Sequence, residues 1–309
     1  MRKTVTIAIP IYNGEKYISE ALYSILNQTL KVDKILISDN QSTDNTFKIV
    51  NAFIEKHPEV NIQLHQNEVN IGCDPNFNKC IELCATDFLV LLGSDDRLKP
   101  DSVEKYLKLF EERPDIALIG GLFDSIDHNG KIFKTANKKS TIIFQRGDIL
   151  EFMKQTGFYM QHSTIMYNMK YTRTIGYFDE NYIAPDERFS VEHLIKYPIA
   201  QIGEAVADVR FHPTQVTSYE RIRFDEKILH FKANLKMSEL ESTIERKKEL
   251  NKLLRIWISK QCVSIGRNIW IKNSKKMALK YWLFGIKHNP LIIFNHQFFK
   301  IIINSLLYR

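Results

Sequence analysis

Phe88-Leu89-Val90-Leu91-Leu92-Gly93-Ser94-Asp95-Asp96 is the stretch that decides how this chain is read. Five apolar residues in a row suit a strand buried on both faces, as in a parallel sheet covered by helices. Gly93 and Ser94 end the run, and two adjacent carboxylates follow. Unpaired charge beside an apolar interior is costly, so such a pair usually has a cation to hold. A hard divalent ion, Mg²⁺ or Mn²⁺, is the natural partner of an oxygen-only pair, and a diphosphate is its usual companion. The plainer alternative is a capping and turn pair ahead of Pro100.

Outward from this strand the first half alternates strand and helix. Strands are expected at Val5–Ile9, Lys34–Ser38, Asn61–His65 and Ile116–Gly120, around the central Phe88–Leu92. Ile18, Leu22 and Ile25 repeat at helical spacing, as do Phe47, Val50 and Ile54. Thr43 is the expected N-cap of the second helix, Asp74-Pro75 opens a third, and Asp101–Glu112 is a fourth. The rhythm predicts a mostly parallel central sheet with flanking helices. Beyond residue 121 the pattern loosens. Asp127-His128-Asn129-Gly130 reads as a hairpin turn, with further strands at Ser163–Tyr167 and Ala205–Phe211.

The chain has 309 residues and a net charge of +7, and that charge is segregated. Residues 221–309 hold 19 Lys/Arg against 6 Asp/Glu, while 1–220 hold 24 against 30. No acidic residue follows Glu249. Strand signals vanish after Ile222, where 222–258 and 259–286 read as basic amphipathic helices and Leu291–Leu307 as a final segment. The expected division is therefore 1–220, with a nucleotide-binding half (1–120) and an acceptor half (121–220), followed by a basic helical region at 221–309. The four cysteines form no CxxC pair and read as core thiols. The apolar run after Met1 is too short for a signal peptide and is broken by Pro10, and no stretch is long enough to span a bilayer.

Several side chains fall where open α/β sheets bind ligands, outside the carboxyl ends of strands. Asp39 follows the second strand, where it either closes a turn or accepts the imino N–H of a uracil or thymine. Pro10 and Tyr12 end the first strand beside it; Tyr12 either lines a base pocket or simply packs before the Asn13-Gly14 turn. Asp44 supports the following helix through its dipole. Asp186-Glu187 is either a helix N-terminal acidic pair or the source of a general base for an acceptor hydroxyl. His212 is either a turn residue before Pro213 or a metal ligand, and Arg210 can meet phosphate oxygens. His162, just before Ser163-Thr164, is a further candidate for facing an acceptor.

Taken in order, these pieces resemble the family 2 glycosyltransferases, inverting enzymes with the GT-A fold. The matching segments are Val5–Asn13, Ile37–Asp44, Asn70-Ile71-Gly72 with Asn78, Gly93–Asp96 with Pro100, Phe178–Asn181 with Asp186, and Arg210–Pro213. The resemblance implies a nucleotide-sugar donor, its base near Pro10, Tyr12 and Asp39, with Asn70 also on the donor side. It implies diphosphate and metal near Asp95 and Asp96, with Asp96 as the direct ligand. It puts the base catalyst at Asp186 and a metal or phosphate contact at His212. Four positions depart from the family pattern. Gly93 stands where an acid is frequent, Asn40 and Gln41 replace an acid and a glycine, and Pro185 replaces a glutamate.

The implied activity is metal-dependent transfer of a sugar, from a donor expected to be UDP-linked, to a glycan or lipid-linked saccharide during surface polysaccharide synthesis. The basic region suits peripheral contact with anionic lipid, so the expected location is cytoplasmic, at the inner face of the plasma membrane. The competing readings are a sugar nucleotidyltransferase and a nucleic-acid binder using the basic region. The first lacks a glycine-rich basic loop after the first strand, and the second lacks a recognition fold, so no nucleic-acid partner is expected.

Overall fold

A computed structural model describes residues 3–157, 160–180, 185–212, 228–229, 231–232, 235–236, 239, 243–271 and 274–294. The chain divides into two compact units, 1–148 with 159–212 and 149–158 with 213–309. The boundary expected at 220/221 lies outside the described residues. The sequence reading had kept 149–158 in the acceptor half, whereas this segment groups with the second unit.

The first unit is built on a sheet of order β3-β2-β1-β4-β9-β6-β10-β5. Its parallel half comprises β1 (Val5–Ile11), β2 (Lys34–Asp39), β3 (Ile62–Gln66) and β4 (Phe88–Leu91). All seven residues of β1 and all four of β4 are buried, as strands covered on both faces require. Helix α1 (Ile18–Leu26) buries Ile18, Ala21, Leu22 and Ile25, one stripe at the 3.6-residue period. Helix α4 (Ser102–Glu112) buries Val103, Tyr106 and Phe110 in the same way. Both stripes join the core around β1 and β4.

Past β4 the sheet is mixed. Strand β9 (Met166–Asn168) runs antiparallel to both β4 and β6 (Leu118–Ile126). Strand β10 (Ile199–Arg210) is parallel to β6 and antiparallel to β5 (Arg97–Leu98) and β8 (Ile142–Phe144). The Asp127–Gly130 turn joins β6 to β7 (Ile132–Lys134), as its composition predicts.

Two local expectations are corrected. Ser163 and Thr164 are not strand; with His162 they form one 3₁₀ turn. Their hydroxyls bond elsewhere, Thr164 Oγ1 to the Gln161 carbonyl and Ser163 Oγ to Asp96, and this competes with a ladder. Helix α2 (Thr46–Lys56) starts three residues after Thr43, because Asp44 Oδ1 takes the Thr46 N–H at 2.9 Å. Helix α3 (Cys73–Leu83) starts after Gly72, whose φ of +96° lies in the left-handed region that favours glycine, so Asp74-Pro75 occupies its first turn. Helices α6 (Met169–Ile175) and α7 (Pro185–Lys196) complete the unit.

The second unit contains α5 (Ile149–Thr156), α8 (Ile244–Ile271), α9 (Lys275–His288) and a 3₁₀ turn at Pro290–Phe294. Helix α8 runs unbroken through 258/259, where the sequence reading ended one helix and began another. Nothing at that point breaks it: Ile258 and Ser259 are both buried, and Gly285 of α9 packs on the Ser259 backbone and Cys262. Most of 222–243 and all of 295–307 lie outside the described residues. Among those described, no helix is long and apolar enough to cross a membrane.

Candidate active site

The parallel registers bring the carboxyl ends of β1, β2 and β4 together. Ile11 pairs with Asp39, and the Leu92 N–H donates to the Ala8 carbonyl. The chain leaves these strands in strained turns, with Asn13 at φ +53° and Gln41 at φ +61°. The two loops fasten each other: Asn13 Oδ1 accepts from the Thr43 N–H at 2.8 Å, and Asn13 donates its N–H to Ser42 Oγ.

Asp39 is fully buried at this edge. Its Oδ1 accepts from Ser42, and its Oδ2 accepts from Gln66 Nε2 at 2.8 Å. Pro10 is buried, whereas Tyr12 is exposed. Asn70 is exposed too, and its Oδ1 accepts from Asn40 Nδ2 and the Gly72 N–H, both at 3.0 Å. Asn40 is the hub of an amide network. Its Nδ2 donates to Asn70 and the Gly72 carbonyl, and its Oδ1 accepts from Asn67 Nδ2 and the Ile71 N–H. A carboxylate here would have no N–H to donate, which accounts for Asn40 where the family pattern has an acid.

Asp95 and Asp96 divide their work. Asp96 is 3% exposed, and both of its oxygens are engaged: Oδ1 accepts the Arg210 N–H at 2.9 Å and Oδ2 accepts from Ser163 Oγ. Burial, then the Asp95 charge, push its carboxyl up to about 8 against the pull of those hydrogen bonds. Asp95 faces outward, with its Oδ2 3.0 Å from His212 Nε2. Asp95 is therefore the more accessible carboxylate of the pair. Gly93 sits tightly between them: an added Cβ would lie 2.9 Å from Asp96 Oδ2 and 3.1 Å from Asp95 Oδ1.

Arg210 lies beneath this pair. Its side chain is fully buried, and its guanidinium donates to the Asp95 carbonyl, the Asp127 carbonyl and Glu20 Oε2. Those contacts leave it a strut beneath the Asp95 turn instead of an open phosphate ligand. Tyr17 completes the strut, with Arg210 Cζ 4.3 Å from its ring centre and the His212 ring 5.3 Å from it. Sequence reading missed Tyr17, Glu20 and Ser163. The i, i+3 placement of Tyr17 and Glu20 on one helical face was a usable signal for the first two.

Asp186 lies in the first turn of α7 and is partly exposed, while Glu187 is buried. Its charge is felt by Asp74, whose carboxyl is raised by burial, then by Asp186 and Glu180. It is felt also by His162, whose ring burial holds below the usual imidazole range while Asp186 and Asp95 pull the other way. His162 thus lies within electrostatic reach of both the Asp95 end and the Asp186 end. Asn78 of α3 ties in the segment before α7, donating to the Phe178 carbonyl and Glu180 while accepting the Phe178 N–H.

Asp95 and His212 suit a hard divalent ion, as a carboxylate oxygen and an imidazole nitrogen that already converge. Among the described residues no third His, Cys, Asp or Glu joins them. Mg²⁺ tolerates so small a protein share when substrate phosphates and water supply the rest.

Residues 6–176 match the model of glycosyl transferase family 2. The chain belongs to this family. It is 30% identical over 204 residues to a dolichyl N-acetyl-α-D-glucosaminyl phosphate 3-β-D-2,3-diacetamido-2,3-dideoxy-β-D-glucuronosyltransferase of Methanococcus voltae, covering 62% of this chain and 61% of that one. The chain spans less than two thirds of the length of the first curated relatives it matches. Two solved structures share the fold. TarS 1–349 of S. aureus in complex with UDP-GlcNAc has a TM-score of 0.64 and 18% identity over 92% of this chain and 79% of that one. The mannosyltransferase PcManGT of Pyrobaculum calidifontis, with GDP-Man and Mn²⁺, has a TM-score of 0.61 and 12% identity over 94% and 87%.

Proposed function

We propose that this family 2 chain transfers a sugar from a UDP-linked donor to a saccharide or lipid-linked saccharide acceptor, inverting the anomeric centre with the help of Mg²⁺ or Mn²⁺. The observation that carries the reading is the Asp95–His212 pair at the end of β4, backed by the buried Asp96. Donor and metal draw support from the TarS complex with UDP-GlcNAc and the PcManGT complex with GDP-Man and Mn²⁺. A lipid-linked acceptor draws support from the M. voltae relative, whose name specifies a dolichyl phosphate sugar.

Asp95 and His212 hold the ion, which when bound supplies Lewis-acid stabilisation of the departing diphosphate. Asp186 removes the proton from the acceptor hydroxyl. The freed oxygen bonds to the anomeric carbon as the bond to the nucleoside diphosphate breaks on the opposite face, giving inversion in one displacement. Asp186 is preferred to Glu187 because it is the accessible member of the pair. Asp39 reads the base by exchange. The exposed Gln66 amide now donating to Oδ2 is the same kind of donor as a pyrimidine imide, and yields its place to it. Tyr12 and Pro10 flank that position, and Asn70 closes the loop beside it. Contact of region 221–309 with an anionic membrane surface belongs to the same reading, supported by its excess of lysine and arginine.

The test is a panel of nucleotide sugars scored by thermal shift with Mn²⁺ and by nucleoside diphosphate release. One UDP-sugar is expected to raise the melting temperature and be turned over. Turnover of a nucleotide sugar by an Asp95→Asn protein at the wild-type rate sinks the proposal.

A further inference from the structure

An apolar surface of the first unit lies on the hairpin after β6. Strand β7 is an edge strand of three residues, all exposed, and among the described residues it pairs with β6 alone. Ile132 is 44% exposed and Phe133 59% exposed. Phe133 packs edge-on against Phe211, itself 44% exposed, with ring centres 5.9 Å apart. Phe211 is fixed by its N–H to the Ile126 carbonyl and immediately precedes His212. Three large apolar side chains therefore stand exposed, one of them the immediate chain neighbour of the proposed ion ligand.

Their charge setting is as unusual. Residues 128–147 carry five Lys/Arg and no Asp/Glu, within a 1–220 region that is acidic overall. Lys131 and Lys134, both exposed, bracket Ile132 and Phe133. Lysines alone would be ordinary protection of a sheet edge. Two large apolar residues between them undo that protection unless something apolar receives them. A second copy of the chain would bring the same positive charge to the contact, and a nucleic acid offers no apolar layer. A lipid interface with anionic headgroups satisfies both the lysines and the apolar tips.

We infer that the Lys131–Lys134 arm, with Phe211, is an insertion finger that docks the catalytic unit on an anionic membrane surface. This goes beyond contact through 221–309 and does not depend on the donor chemistry. The finger would set the His212 end of β10 against the headgroup layer.

The test uses the full chain carrying Cys73→Ser and Phe133→Cys, with an environment-sensitive fluorophore at position 133. Vesicles of phosphatidylcholine with phosphatidylserine are expected to shift its emission to the blue, and vesicles of phosphatidylcholine alone are not. Ile132→Ser with Phe133→Ser, whose melting temperature should be unchanged because both sites are exposed, is expected to weaken co-sedimentation about tenfold, corresponding to some 1.4 kcal/mol. An unshifted fluorophore on vesicles that do carry the chain down overturns the inference. So does a blue shift that follows protein concentration without lipid, which would mark self-association.

Discussion

His212 Nε2 stands 3.0 Å from Asp95 Oδ2 across 117 residues of chain. Replacing either partner by Asn or Ala should weaken Mn²⁺ binding by about tenfold or more. Titration calorimetry measures this directly. The Mn²⁺-dependent rise in melting temperature should vanish in Asp95→Asn and persist in Glu187→Gln.

Asp186→Asn keeps the size of the side chain and removes the base. Turnover of donor and acceptor together should fall by about 100- to 10,000-fold, with donor affinity little changed. Single-turnover kinetics beside thermal-shift titration separates the two. An equal loss of donor binding would move Asp186 out of the catalytic role.

Asn40→Asp should destabilise the first unit by about 2 kcal/mol, because two acceptors lose their donor and a new charge faces them. Urea unfolding reports the loss. Nucleotide affinity should fall as well, since the 67–72 loop is tied through Asn40.

His193 predicts acid sensitivity. It is fully buried, with Nδ1 at 2.7 Å from the Phe189 carbonyl and Nε2 at 3.0 Å from Thr172 Oγ1, and burial depresses its pKa from 6.5 to about 4. The folded state thus binds its proton later than the unfolded state. Its contribution is complete above pH 6.5 and is lost as pH falls toward 4, amounting to about 3 kcal/mol. Asp96, raised instead of lowered, works in the opposite sense over an overlapping range, so the comparison must be with His193→Gln. The difference in denaturation midpoint between the two proteins should shrink across that window.

Strands β1, β2 and β4 were readable because burial on both faces writes itself as an unbroken apolar run, and strand ends locate Asp39 and the Asp95-Asp96 pair. Which member of that pair looks outward was not readable. It is decided by Ser163 and Arg210, which lie 67 and 114 residues away. The partners of Arg210 were no more readable: Glu20 and two carbonyls are distant from it in sequence. Strand β9 was expected too early, at Ser163–Tyr167, because three residues carry no measurable period to fix its start. The continuity of α8 escaped because two adjoining amphipathic patterns look alike whether or not a turn parts them.

Gly93 leaves no room for another acid between Asp95 and Asp96. An ion resting there gains attraction from one outward carboxylate only, so the vacant protein should grip it weakly. Most of its negative company must come from the cosubstrate. On the proposed reading, loading should be cooperative, each partner raising the other's affinity by the same factor, with the cation carried in by the nucleotide.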